Sequence, residues 1–280
     1  MSKDWLTNNT TVSSYWTPES DTSLLGWYDP SDLTTVTPAS GGPVITLADK
    51  SPRGYDMEQT VVAQRPESGS RTLNNLNVIA CSSTDSQHLE NTDGFTIGSN
   101  GNISIFMVAE IDSINNTTDS VFSINAEADD FQFQSNNATQ FNGSLSVADP
   151  GENLTLLDGP YAGPSIYNAV FDWATRHEYT VYMDGTQDSA GSQDYQKRIA
   201  TCDQFRLFCN RPVNTSPDGA FGEVVVTSDV SDGKRQKIEG YLAHKWGLAG
   251  NLDIGHPYKA SPPLIIRDNV LQENRYVLAR

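Results

Sequence analysis

The stretch SDGKRQKIEGYLAHKWGL, residues 231–248, followed by NLDIGHPY, residues 251–258, decides how the rest of the chain is read. Ile238, Tyr241, Leu242 and Trp246 recur at spacings of three, four and eight, which predicts one apolar face of an α-helix and leaves Lys234, Arg235, Lys237 and Lys245 to water. Ser231 supplies an N-cap, although position 234 is Lys where a full capping box has Glu, and Gly247 or Gly250 supplies an end. A single short helix after many strands caps a sheet edge or an open end of a core.

Working back from the helix, nearly everything reads as strand. Phe221–Thr227 and Phe205–Cys209 precede it, and His177–Met183 and Ser165–Phe171 come before those, with Asp184 and Gly185 marking a hairpin turn. Phe131 and Phe133 alternate with Gln132 and Gln134, the pattern of a half-buried strand. Val121–Ile124 is a further strand. In the strongest one, Ile103, Ile105, Met107, Ala109 and Ile111 share one face and Phe106 and Val108 the other, so burial on both sides is expected over part of its length. Asn77–Cys81, Met57–Val61, Val44–Leu47 and Leu24–Tyr28 complete the set, separated by turns rich in Gly, Pro, Asp and Ser. About a dozen short strands with one helix predict an all-β fold, a two-sheet antiparallel sandwich. No internal repeat is visible.

The helix and loop residues Ile238 to Gly247, with His256, Pro257 and Tyr258, resemble the closing signature of the laminin-G-like jelly-roll domains of the concanavalin A-like lectin/glucanase superfamily. Trp16-Thr17-Pro18, Leu24 to Asp29, Asp32 and the Asp49-Lys50-Ser51 turn are similar to its opening, and Gly222-Glu223-Val224 fits the step into its last strand. The resemblance implies a jelly-roll over residues 23–263, an N-terminal arm over 1–22 and a C-terminal tail over 264–280. The arm holds Trp5, Tyr15 and Trp16, aromatics expected to dock on the sandwich or a neighbour. Leu264–Ile266 and Tyr276–Leu278 could each add a strand to the tail's own sheet or reach a partner. The motif residues Ile238, Tyr241, Leu242, Trp246, His256, Pro257 and Tyr258 are expected to be structural, with the His256 imidazole bonded to a loop carbonyl.

The 280 residues carry 18 Lys and Arg against 35 Asp and Glu, a formal charge of −17, which argues against nucleic-acid binding. Residues 231–280 are net +3, leaving −20 for the rest, so the basic end has an acidic neighbour to dock on. No apolar run is long enough to insert in a membrane and residues 1–10 hold no apolar signal core, so synthesis in a host cytoplasm is expected. Three cysteines without a paired spacing read as reduced, buried thiols.

Glucanases of the superfamily carry acidic residues at alternate positions of one strand. Glu110 and Asp112 match the start of that pattern, but position 114 is Ile and 115 is Asn, so the acid that would protonate a leaving oxygen is missing. No zinc, phosphate-loop or serine-nucleophile motif occurs. Relatives hold calcium in loops, yet no D-x-D-x-D-G loop is present and no site can be assigned. A sugar platform would need exposed aromatics, for which Trp27, Tyr28, Tyr161, Tyr167 and Trp173 are the candidates, although each reads more simply as core or edge packing. The resulting expectation is a non-enzymatic virion structural protein without a cofactor: a head decoration, fibre or tail component of the kind the resembling domains form in tailed phages. It would contact capsid or tail proteins of the same particle and assemble as a homo-oligomer. The alternative is a lectin-like, carbohydrate-binding module that attaches to host polysaccharide; a glycoside hydrolase comes third.

Overall fold

The computed structural model describes residues 13–266 except 98–100, 116–118, 127–128, 138–139, 147–151, 159–162, 173, 175–177, 188–192, 195–200 and 210–214. Trp5, Tyr161, Trp173, His177 and Tyr276–Leu278 therefore lie outside the described residues.

Two antiparallel sheets face each other in a jelly-roll sandwich. The first runs in the order Thr186–Gln187, Glu178–Met183, Ser165–Asp172, Ile103–Ser113, Asp218–Thr227, Leu76–Cys81, Glu67–Leu73 and Gly42–Pro43, with Leu24–Tyr28 also paired to Asp218–Thr227. The second runs Glu152–Asp158, Gln140–Ser146, Asp129–Asn137, Ser120–Ala126, Gln204–Leu207, Leu89–Asn91, Met57–Glu58, Thr46–Leu47 and Val36–Thr37. Alternation along the central strand Ile103–Ser113 explains the layering. Ile103, Ile105, Met107, Ala109 and Ile111 fill the space between the sheets together with Phe122, Ile124, Phe205 and Leu207 from the second sheet. Phe106 and Val108 project the other way, where Val225, Trp27 and Val78 join them to form a second apolar layer.

The helix Asp232–Lys245 covers that second layer with Ile238, Leu242, Ala243 and Trp246. Ser231 caps it by accepting from the Lys234 backbone N–H, and Gly247, at φ +74°, turns the chain out so that Leu248 N–H bonds Ala243 O. Two glycines let this layer close. A Cβ on Gly222 would stand 2.8 Å from Trp246, and one on Gly240 would run into the Tyr258 side chain. The helix surface departs from the expected solvated stripe. Arg235 is buried with its guanidinium 2.8 Å from Glu239, and Lys245 reaches inward, because the loop His256–Tyr258 and the sheet cover the faces where these cations sit.

The arm and tail meet each other. Ser13–Tyr15 pairs with Leu264–Ile266 in an antiparallel ribbon separate from both sheets. Trp16 then buries its indole edge-on against Tyr241, 5.9 Å between centroids, whereas Tyr15 stays 68% exposed.

Candidate functional site

Three places bring polar side chains together. Beneath the helix, fully buried Glu223 accepts hydrogen bonds from Trp27 Nε1 (2.6 Å), Tyr241 Oη (2.8 Å), Lys245 Nζ (2.6 Å) and Trp246 Nε1 (3.1 Å). Lys245 also lies 2.8 Å from Asp29, which Lys50 approaches at 3.2 Å. Burial and then the Asp29 charge push Glu223 above the ordinary carboxylate value, against the pull of Lys245 and Trp27. Burial also works against ionised Asp29, but Lys245, Ser31 and Lys50 outweigh it and hold that carboxyl below its ordinary value. Next to this network Glu239 takes Arg235 and the His256 ring, 3.1 Å away. His256 Nδ1 accepts from the Tyr258 backbone N–H, so the imidazole grips a carboxylate and an amide rather than the loop carbonyl expected for it; His244 binds that carbonyl, Tyr258 O, at 2.8 Å. Of the motif residues, Ile238, Leu242, Trp246 and His256 are buried, Tyr241 and Tyr258 half-buried, and Pro257 exposed. Every acceptor here is spoken for within the protein, and the arrangement holds the helix to the sheet.

The carboxylate pair forms the second place. Glu110 and Asp112 point from one face of the central strand and are both bound by Arg71, Glu110 at 2.5 Å and Asp112 through Nη1 and Nη2. One guanidinium thus bridges the two carboxylates as a charge-assisted ion pair.

Of the platform candidates, the three among the described residues are buried and follow the packing reading instead. Trp27 is 6% exposed because its strand lies under the helix and its indole is needed by Glu223. Tyr28, 1% exposed, points between the sheets and donates to Tyr55 O, and Tyr167, 0% exposed, lies opposite Met107 in the same core. Alternation on strands covered on both faces buries both sets of side chains.

The third place, without a local motif in the chain, is a cleft of about 420 Å³ lined by Gly54, Tyr55, Asp56, Glu58, Thr60, Glu90, Asn91, Thr92 and Asp93. It exists because Met57–Glu58 pairs with Leu89–Asn91, which sets Glu58 opposite Glu90 and places the 54–56 and 92–93 loops around them. Tyr55 packs on Phe95, centroids 5.8 Å apart, and Asn91 Nδ2 donates to Asp56 O at 2.9 Å, which fixes the walls. Asn91 is 5% exposed and its Oδ1 has no hydrogen-bond partner. Asn91 pairs with Phe205, which lies in the core, so its Oδ1 is enclosed on the inner face of the strand, an orphaned acceptor of a kind that costs roughly 1–3 kcal/mol. Behind Glu90 stand Arg206 at 2.9 Å, Gln204 at 2.7 Å and His88 at 3.8 Å. Burial opposes a charge on His88, yet the Cys209 and Glu90 side chains and the Ser86 backbone push it up to about 9. Among the described residues no group of three or more His, Cys, Asp or Glu could hold a metal ion. A further groove of about 430 Å³, lined by Tyr15, Trp16, Tyr241, His244, Lys245 and Pro262, is apolar.

Neither the protein-family models nor the curated proteins contain a match to the chain. Among solved structures it is similar to Trypanosoma rangeli sialidase in complex with the inhibitor DANA, at 10% identity over 75% of this chain and 32% of that one, TM-score 0.47. Domain 4 of AbnA, a GH43 extracellular arabinanase from Geobacillus stearothermophilus, in complex with arabinotriose, matches at 10% identity over 75% of this chain and 95% of that one, TM-score 0.49. The Ruminococcus gnavus IT-sialidase CBM40 bound to α2,3-sialyllactose matches at 18% identity over 48% and 79%, TM-score 0.37. The chain spans about a third of the length of the sialidase chains it matches. With every one of these TM-scores below 0.5, the sandwich stands on its own strand pairing.

Proposed function

We propose that this chain is a non-catalytic recognition module that binds carbohydrate in the cleft between Tyr55 and Asp93. The observation that carries this reading is the cleft's make-up: a half-buried aromatic wall and a set of hydroxyl and carboxylate side chains. Sugars meet such a lining well, since their hydroxyls donate to the oxygens while the ring faces pack on tyrosine. The ion pairs of Arg71 with Glu110 and Asp112 support the non-catalytic reading. The virion reading rests on the sequence resemblance alone.

The test is a glycan array probed with the full chain, followed by calorimetry on the hits. Two variants locate the site: Tyr55→Ala removes the aromatic wall, and Thr60→Trp fills the cleft from an exposed position. Retention of one or more glycans, weakened about tenfold or more by either variant, is expected. Binding to nothing on the array, or binding that both variants leave unchanged, overturns the proposal.

A further inference from the structure

We infer that the aromatic groove between the ribbon and the helix docks an extended, proline-rich and acidic segment of a partner protein. This stands apart from the carbohydrate reading, since the groove and the cleft share no lining residue.

The groove walls are rings and hydrocarbon. Tyr15, Trp16 and Pro262 come from the foot of the ribbon, and Tyr241, His244 and Lys245 from the last turns of the helix. The polar ends of the helix residues are in use: Tyr241 Oη donates to Glu223, Lys245 Nζ donates to Glu223 and sits 2.8 Å from Asp29, and the His244 ring bonds Tyr258 O. They lend the groove their rings and a methylene stem. Tyr15 belongs to the ribbon as well, where Leu264 stands opposite it and is 44% exposed. Apolar surface therefore runs on from the groove along the ribbon, a track that suits an extended segment better than a compact ligand.

Two polar groups at this track are unspent. Among the described residues the Tyr15 hydroxyl makes no hydrogen bond, and the Lys237 ammonium makes neither hydrogen bond nor ion pair. Lys237 precedes Tyr241 by one helical turn and lies 5.6 Å from the centre of the Trp16 ring, so positive charge borders the groove; Lys234 beside it is already bound by Asp21. A fitting ligand brings flat apolar faces, hydrogen-bond acceptors and negative charge. A proline-rich peptide in the polyproline II form has the first two, because its pyrrolidine rings pack on tyrosine and tryptophan and its carbonyls have no internal partners. A carboxylate beside the prolines then meets Lys237.

Charge also argues against the other occupants. Residues 267–280 hold three arginines against two carboxylates, net +1, residues 1–12 hold one Lys and one Asp, net zero, and neither segment contains a proline. A second copy presenting the same face would bring Lys237 against its own counterpart. Outside residues 231–280 the chain is net −20, so this end is where an acidic segment is drawn.

The experiment titrates the full chain with three synthetic peptides, repeats of Pro-Pro-Glu, Pro-Pro-Lys and Gly-Gly-Glu. The Pro-Pro-Glu peptide is expected to bind at least about tenfold more tightly than the other two. Tyr15→Ala, at an exposed position, should weaken it about tenfold with an unchanged denaturation midpoint. Lys237→Glu should weaken it about fivefold and improve binding of the Pro-Pro-Lys peptide. Both variants should leave glycan-array hits as they were. Absence of Pro-Pro-Glu binding up to about 1 mM, equal binding of the Gly-Gly-Glu peptide, or binding that neither variant changes overturns the inference while the carbohydrate reading stands. Self-association that Tyr15→Ala abolishes gives the groove to a second copy and overturns it too. Loss of the glycan hits in Tyr15→Ala moves the sugar into the groove and overturns both readings.

Discussion

The two faces of the sandwich use the same residue types to opposite ends. On the helix side, Glu223 and Glu239 are fully buried and each is surrounded by donors from its own chain, so the charge acts as a fastening. On the far side, at the edge where Met57–Glu58 meets Leu89–Asn91, Glu58 and Asp93 stand in the open and make no ion pair among the described residues. A carboxylate's role follows from what occupies its lone pairs, more than from its neighbours in sequence. Those filled by the chain's own donors build; those left to water are open to exchange.

The sharpest way to break the comparison is Glu223→Leu. It strands Lys245, two indoles and a phenol, and by the cost of breaking one side of a buried pair it should remove about 3–5 kcal/mol of stability. Chemical denaturation measures this directly, and a loss below about 1 kcal/mol would mean that the network is ornamental. Gly222→Ala comes next: its Cβ meets Trp246, and overpacking of this kind costs about 1–3 kcal/mol, read as a lower midpoint with an unchanged m-value.

The pair behind the cleft should respond to pH. His88, raised from 6.5 to about 9, contributes stability that is fully present below pH 6.5 and is lost as pH rises through about 9. Denaturation midpoints at pH 6, 7.5 and 9.5 should fall in that order, and His88→Gln should flatten the series. Glu110→Gln is smaller again. Arg71 keeps Asp112, so the change in stability should be below about 1 kcal/mol, and a larger loss would give the pair more weight than an exposed ion pair has. Smallest of all, Glu58→Gln and Asp93→Asn, at exposed positions, should shift stability by no more than about 0.5 kcal/mol in the same denaturation measurement.

Much of the fold could be read from the chain because it is written in short-range periods. The alternation from Ile103 to Ile111 and the helix spacing of Ile238, Leu242 and Trp246 both survive into the structure. Glu67–Leu73 could not be seen, since Glu-Ser-Gly-Ser-Arg-Thr-Leu offers no apolar alternation and becomes a strand only by pairing with Leu76–Cys81. The burial of Arg235 and Lys245 was hidden for a related reason. Charge suggests water until the partner is known, and Glu239 and Glu223 become partners only after the helix has docked. The same applies to the platform candidates: Trp27, Tyr28 and Tyr167 read as exposed or buried according to which layers cover their strands. The cleft had no local signature, because residues 54–60 and 90–93 meet through one strand pairing across thirty positions.

The ribbon that joins Ser13–Tyr15 to Leu264–Ile266 has a mechanical consequence. Ser13 pairs with Ile266 at one end of the ribbon, so a pull applied to both strands at that end loads one rung at a time, like a zip. Tension there would open the three rungs in sequence and then reach the Trp16 N–H bond to Pro263 O before it strained either sheet. The ribbon is thus a weak link in series with a strong body, and a chain tethered from both sides would yield at the tether while its sandwich stayed folded.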